Sequence, residues 1–210
     1  MRKRNVVILI LVLIGVAMLI CYVVFIRLFA VPGSAMSNTV IPGDRVIGVK
    51  SFGGSIERGQ IVVFQFPDDS TYYLKRVVGL PGETVQLRDR TVYVNGQPLA
   101  EQKVLVETRE ANKPLLIVRP AEGRGPYSVF YEESAELAPP DVAQVGTLEP
   151  YRIPPEHYFV LGDNRDNSED SRYRGPVPRQ LIWGTVSLIF FSTEIETGDV
   201  RPGRTLKRLE

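Results

Sequence analysis

The sequence predicts a mostly β protein: an N-terminal transmembrane helix followed by an all-β body that carries an inserted β-rich cap. Three observations predict it. Residues 6–26 (VVILILVLIGVAMLICYVVFI) form an unbroken apolar stretch bounded by Arg4 and Arg27. Beyond it, short Val/Ile/Tyr-rich runs are separated by turn residues, with 16 prolines and 18 glycines in the chain, the punctuation of an all-β body. Across residues 101–150 the character shifts to charged, Pro-containing and weakly patterned sequence, which marks an insertion.

At about 1.5 Å per residue the apolar stretch is long enough to cross a hydrocarbon core of about 30 Å. Arg2, Lys3 and Arg4 precede it, which favours a cytoplasmic terminus (residues 1–5) and a translocated body. The stretch exceeds the roughly 7–15-residue core of a cleavable signal peptide and lacks a following small-x-small pattern, so it reads as an uncleaved anchor. Cys21 within it is a small buried hydrophobe. Residues 27–100 and 151–210 are assigned to the β core. Pro32-Gly33 and Pro42-Gly43-Asp44 mark turns, and residues 45–49 a strand. Residues 60–66 (QIVVFQF) and 71–78 (TYYLKRVV) predict a hairpin across Pro67-Asp68-Asp69. Residues 84–87 and 91–94 bracket another turn, followed by Asn95-Gly96. Residues 158–161 resume the core strands, and 181–192 (LIWGTVSLIFFS), too short for a second span, close them.

The formal net charge of +1 offers no basic surplus for a polyanion, so no nucleic-acid partner is expected. One cysteine cannot form an internal disulfide. One histidine, His157, leaves a Ser-His-Asp triad or a His-based metal site with a single candidate. No metal site and no cofactor is expected.

Three separated segments carry the chemistry: 33–39 (GSAMSNT), 72–82 (YYLKRVVGLPG) and 162–172 (GDNRDNSEDSR). Alone, each has a structural reading. Lys75 can reach the surface by its stem, and an Asn/Asp/Ser-rich run can be a hydrogen-bonded turn. Together, in this order behind an anchor, they resemble bacterial type I signal peptidases, with a Ser-Met motif, a Lys-Arg-Val strand ending in Pro-Gly, and a GDNRDNSxDSR segment. The resemblance covers the anchor and nearly all of the body outside residues 101–150, and the third motif is long and specific.

The resemblance implies a Ser/Lys endopeptidase that removes signal peptides from exported preproteins. It implies a single-pass protein of the inner (cytoplasmic) membrane with an extracytoplasmic catalytic domain. Its expected partners are signal peptides, the lipid bilayer and the secretion translocon. By resemblance Lys75 is the general base. A free lysine titrates at about 10.4, and burial between Tyr73-Leu74 and Val77-Val78 is an environment that lowers that value. Ser168 matches the serine that hydrogen-bonds and orients the lysine. Asp170 and Arg172 match a supporting ion pair, and Asp163 is expected to pair with Arg76. Val31, Pro32, Gly33, Met36, Val40, Tyr73 and Leu74, with Phe29 and Val46, match the lining of shallow apolar pockets. Those pockets admit small side chains at the first and third residues before the scissile bond. The substrate strand is expected to add to an edge near residues 31–33 and Tyr73; apolar side chains around Phe190 and Phe191 can touch lipid, with core burial the reading for at least one of the two.

The departure is Ala35, at the position before Met36 where the family has its nucleophilic serine. Alanine has no hydroxyl and forms no acyl-enzyme. In an extended segment Ser34 would face away from Lys75, and Ser37 would lie roughly 7 Å further on. Two readings of Ala35 stay open. One is an otherwise complete enzyme inactivated by Ser-to-Ala at residue 35, which the intact Lys75 and Ser168 favour. The other is a natural non-catalytic membrane protein that binds signal peptides. The anchor and the GDNRDNS segment argue against a soluble, self-cleaving repressor-type Ser/Lys protease.

Overall fold

A computed structural model describes residues 2–51, 53–107, 116–133, 145–147 and 149–209. The chain begins with α1 (Arg2–Phe25), a helix of 24 residues whose apolar side chains between Val6 and Val16 stand exposed. Among the described residues no helix is long and apolar enough to cross a membrane. The side chains described in α1 are those of residues 5–16 and 24–25, so Cys21 lies outside them. The helix runs directly into β1 (Ile26–Ala30), which pairs antiparallel with β2 (Asp44–Lys50), placing Ile26 opposite Val49. Ile26, the last residue of the apolar stretch in sequence, is therefore already sheet: the ladder to β2 satisfies its backbone and ends the helix one residue early.

The hairpin expected across residues 67–69 is present as β3 (Ile61–Phe64) and β4 (Tyr73–Gly79), antiparallel, with Val62 opposite Lys75. There follow β5 (Thr84–Arg88), β6 (Thr91–Val94) and β7 (Gln97–Pro98), then β8 (Gln102–Glu107), β9 (Leu116–Glu122) and β10 (Ser128–Glu132). The chain continues through β11 (Tyr151–Arg152), β12 (His157–Leu161), the short helix α2 (Ser171–Arg174), β13 (Val177–Pro178), β14 (Ile182–Ser192) and β15 (Lys207–Arg208). The main sheet has eight strands in the order β1-β2-β14-β3-β4-β12-β13, with β15 on β14. β14, the last long apolar run, thus lies between β2 and β3 rather than at an edge. Its residues alternate inward and outward over most of its length, the period of a strand with one face in a core. β11, β5, β6 and β7 form a second sheet.

Within residues 101–150 the described segments build a third, three-stranded sheet, β10-β8-β9, in which β10 runs parallel to β8. Residues 108–115 and 134–144 of that region lie outside the described residues.

Candidate active site

Lys75 sits in the middle of β4. By the two-residue period of a strand it shares a face with Tyr73 and Val77, which pack with Val62, Phe64 and Val160 in one apolar cluster. The side chain is 3% exposed. Among the described residues no hydrogen bond or ion pair reaches its ammonium, whose nitrogen lies 5.9 Å from the centre of the Tyr73 ring. Burial pushes its pKa down to about 8, assisted by the like charge of Arg172 and opposed by attraction to Asp170.

β12 brings the third motif alongside. Leu161 pairs with Arg76, so the next residue, Gly162, comes opposite Lys75. A Cβ on Gly162 would lie 2.2 Å from Ser168 Oγ and 2.5 Å from the Ala35 carbonyl oxygen. Only glycine fits there, and at that point the three sequence segments meet.

Two carboxylates tie the meeting point together. Asp163 accepts from Arg76 Nε at 2.8 Å and Nη2 at 2.7 Å, a forked and buried pair. It also accepts from Thr39 Oγ1 at 2.6 Å, which links the strand, the loop and the first motif. Asp170 accepts from the Gly162 N–H at 2.9 Å, the Ser168 hydroxyl at 2.7 Å, and Arg172 Nε and Nη2 at 2.8 and 2.9 Å. Burial opposes its charged form, but the Arg172 guanidinium and these hydrogen bonds hold the carboxyl below its ordinary range. As the N-cap of α2 it also takes the Arg172 backbone N–H, the usual service of an Asp at that position.

The expected pairs Arg76–Asp163 and Asp170–Arg172 are thus present. The expected Ser168–Lys75 hydrogen bond is not: the Ser168 hydroxyl donates to Asp170. An ammonium offers no acceptor, so the hydroxyl proton goes to the carboxylate two residues away, and its lone pairs are left for a donor.

The first motif is a turn rather than an extended segment. Ser37 N–H donates to Ser34 O and Val40 N–H to Met36 O, both at 2.9 Å. Strand alternation therefore does not decide which way Ser34 and Ser37 face; the turn does. Ser34 Oγ accepts from Asn167 Nδ2 at 3.2 Å. Ser37 is fully buried, and its Oγ has no hydrogen-bond partner among the described residues. Asn164 clamps the turn, its backbone N–H on the Ala35 carbonyl at 3.0 Å and its Nδ2 on the Ser34 carbonyl at 3.2 Å.

Of the pocket candidates, Val31, Met36, Val40 and Leu74 are buried together with Phe29 and Val46 in one core cluster. Pro32 and Gly33 are exposed, and Tyr73 is half-buried with its hydroxyl donating to Asp69 at 2.5 Å. Phe190 is exposed and Phe191 half-buried. Residues that sequence reasoning passed over are Thr39, Asn164, Glu101 and Arg165. Asn164 and Arg165 stand inside the third motif and Thr39 closes the first, but Glu101 stands in none, and the partners of Thr39 and Glu101 lie 124 and 64 residues away.

A family model described as signal peptidase, peptidase S26, matches residues 3–191 of this geometry-bearing chain. The chain belongs to the peptidase S26 signal peptidase family. Signal peptidase I of Bacillus amyloliquefaciens is 33% identical over 185 residues, covering 87% of this chain and 82% of the relative. Signal peptidase I of Rickettsia bellii is 31% identical over 212 residues, covering 90% and 73%. Signal peptidase I T of Bacillus subtilis is 33% identical over 166 residues, covering 78% and 72%. The crystal structure of a signal peptidase I from Enterococcus faecalis overlaps with a TM-score of 0.40 at 28% identity, covering 63% of this chain and 97% of that one. That overlap is too low to add to the assignment. Among the described residues of this signal peptidase fold, no group of three or more His, Cys, Asp or Glu is placed to hold a metal.

Proposed function

We propose that the chain is a signal peptidase I scaffold, built to cut signal peptides from exported preproteins with a Ser/Lys dyad, and inactive because residue 35 is alanine. The observation that carries this reading is Lys75: buried, without a hydrogen bond or ion pair among the described residues, and titrating at about 8. It shares its face with the point where the Ala35 carbonyl and Ser168 meet over Gly162. A lysine so held is a proton acceptor near neutral pH.

With serine at 35, the amine of Lys75 takes the hydroxyl proton as the oxygen attacks the scissile carbonyl. The tetrahedral oxyanion is met by the backbone N–H of residue 35. Its collapse breaks the peptide C–N bond, and the lysine ammonium returns the proton to the departing amine. Water, deprotonated by the same lysine, then hydrolyses the acyl-enzyme. Ser168 accepts from the ammonium during its charged interval, while Asp170 and Arg172 keep Ser168 in place. Val31, Pro32, Gly33, Met36, Val40, Tyr73 and Leu74 shape the substrate strand and its small-residue pockets.

The same reading assigns residues 1–5 to the cytoplasm, 6–26 to the inner membrane, 27–100 and 151–210 to the catalytic core, and 101–150 to a cap. The support is the sequence: residues 6–26 are unbroken apolar and follow three basic residues, a stretch of about 30 Å as helix, and the side chains described between Val6 and Val16 are exposed. The bilayer and the secretion translocon are then neighbours of the site.

Ala35→Ser in the full chain, reconstituted in liposomes, is expected to cleave a preprotein after its small-x-small motif. A folded, inserted Ala35→Ser chain that stays inert would overturn the peptidase reading. Ala35 itself favours a second reading, a signal-peptide binder that does not cut. Binding of a signal peptide by the unaltered chain, with no cleavage after Ala35→Ser, is the outcome that selects it.

A further inference from the structure

The third sheet is joined to the motif loop by its backbone. Phe130 N–H donates to Asp163 O at 2.8 Å, and Arg165 N–H returns to Phe130 O at 2.9 Å. Glu132 N–H donates to Asp166 Oδ2 at 2.8 Å. The segment 163–166 is thus bound along β10 as an additional short strand would be, with Phe130 bridging Asn164 in parallel.

A buried polar cluster lies under this seam. Arg165 and Glu101, both with side chains 1% exposed, form a forked ion pair, Nη2 to Oε1 at 2.5 Å and Nη1 to Oε2 at 3.0 Å. Arg165 Nε donates to the Gly162 carbonyl at 3.1 Å, and its Nη1 to Tyr131 Oη at 3.3 Å. The Tyr127 hydroxyl donates to Glu101 Oε1 at 3.1 Å. The ring of Tyr127 faces the Arg76 guanidinium at 4.0 Å, and Arg76 is the residue after Lys75.

A buried ion pair is a poor way to gain stability, because desolvation consumes most of the attraction. It is a directional way to fix a position, since the fork defines both angle and distance. Here the guanidinium that the fork holds on Glu101 also donates from Nε to the carbonyl of Gly162, the residue over which Ser168 and the Ala35 carbonyl converge. We propose that Glu101, Arg165 and Tyr127 are positioning residues, through which the β10-β8-β9 sheet holds the motif loop at the distance from Lys75 that the reaction needs. That sheet is on this view part of the catalytic apparatus, and the inference rests on the signal peptidase reading above.

The test uses the full chain with Ala35→Ser, and adds Glu101→Gln or Tyr127→Phe. Glu101→Gln is expected to lower kcat about tenfold or more with KM within about threefold, inside the roughly hundredfold that a misplacement of about 1 Å costs. It is also expected to displace the acidic limb of the pH–rate profile, which a loss of fold stability alone leaves in place. Tyr127→Phe, which keeps the ion pair, is expected to move both readouts in the same direction by less. Turnover per folded molecule equal to that of Ala35→Ser in both variants, with an unmoved limb, overturns the proposal. Should Ala35→Ser itself be inert, the peptidase reading falls and the positioning claim is decided by amide hydrogen exchange in the unaltered-Ala35 chain. Exchange at Gly162 and Asn164 faster by about tenfold or more in Glu101→Gln, with β3 and β4 unchanged, sustains it; equal exchange overturns it.

Discussion

On the proposed reading Lys75 must be uncharged to act, and it is kept where charge is expensive. Burial lowers its pKa to about 8, so in an Ala35→Ser chain the free-amine fraction rises with pH through that value. We expect kcat/KM for preprotein cleavage to climb tenfold per unit pH below about 8 and to level off above it, as a pH–rate series from 6 to 10 will measure. The same shift has a stability consequence of definite sign. Between about 8 and 10.5 the unfolded chain holds the Lys75 proton and the folded one does not, so this residue makes stability rise with pH across that window. Below it the full penalty is present. Lys75→Met, of similar length and without the charge, is therefore expected to stabilise the chain at pH 7 by up to about 3 kcal/mol. Denaturant unfolding of both chains in micelles should show this gain shrinking as pH approaches the upper end of the window.

The elements meet through contacts that tolerate little change. At Gly162 a Cβ would strike both a side-chain oxygen and a backbone carbonyl, at 2.2 and 2.5 Å, and the carbonyl belongs to a turn that cannot swing aside without losing Asn164. Gly162→Ala is expected to cost about 1–3 kcal/mol and to leave Ala35→Ser without activity. At Gly33 nothing lies within 4 Å of the same atom, so Gly33→Ala is expected to leave the unfolding midpoint unchanged. The pair of variants, melted side by side, separates close approach from a general intolerance of alanine. β4 and the loop after β12 are locked by Arg76 and Asp163, 1% and 0% exposed. Asp163→Ala leaves the guanidinium in the interior with its forked partner gone, and should lower stability by about 3–5 kcal/mol in the same unfolding assay.

Over the whole molecule, the helix and the body are joined at one edge of the sheet, where α1 meets the beginning of β1 and the end of β2. Among the described residues, the core clusters of the body contain none from α1. A chain beginning at Ile26 is expected to keep the thermal midpoint of the body within a few degrees, roughly the shift of 1 kcal/mol, and to lose resistance to carbonate extraction from vesicles. A large fall in the midpoint would mean that the helix packs on the body.

The sequence by itself determined the apolar helix, the β3–β4 hairpin, the strand runs and the three motifs with their departure at Ala35, because these are written in local periodicity, turn chemistry and residue type. It also yielded the Arg76–Asp163 and Asp170–Arg172 pairs, whose members stand in motifs already brought together by resemblance. The tertiary structure alone decided that residues 34–39 turn, that the Ser168 proton goes to Asp170, and that β14 runs through the middle of the sheet. It alone joined Thr39 to Asp163 and Glu101 to Arg165. Each of those outcomes is a choice of partner between segments far apart in the chain, set by sheet register and by competition among buried donors and acceptors. Neighbouring residues carry no trace of that choice.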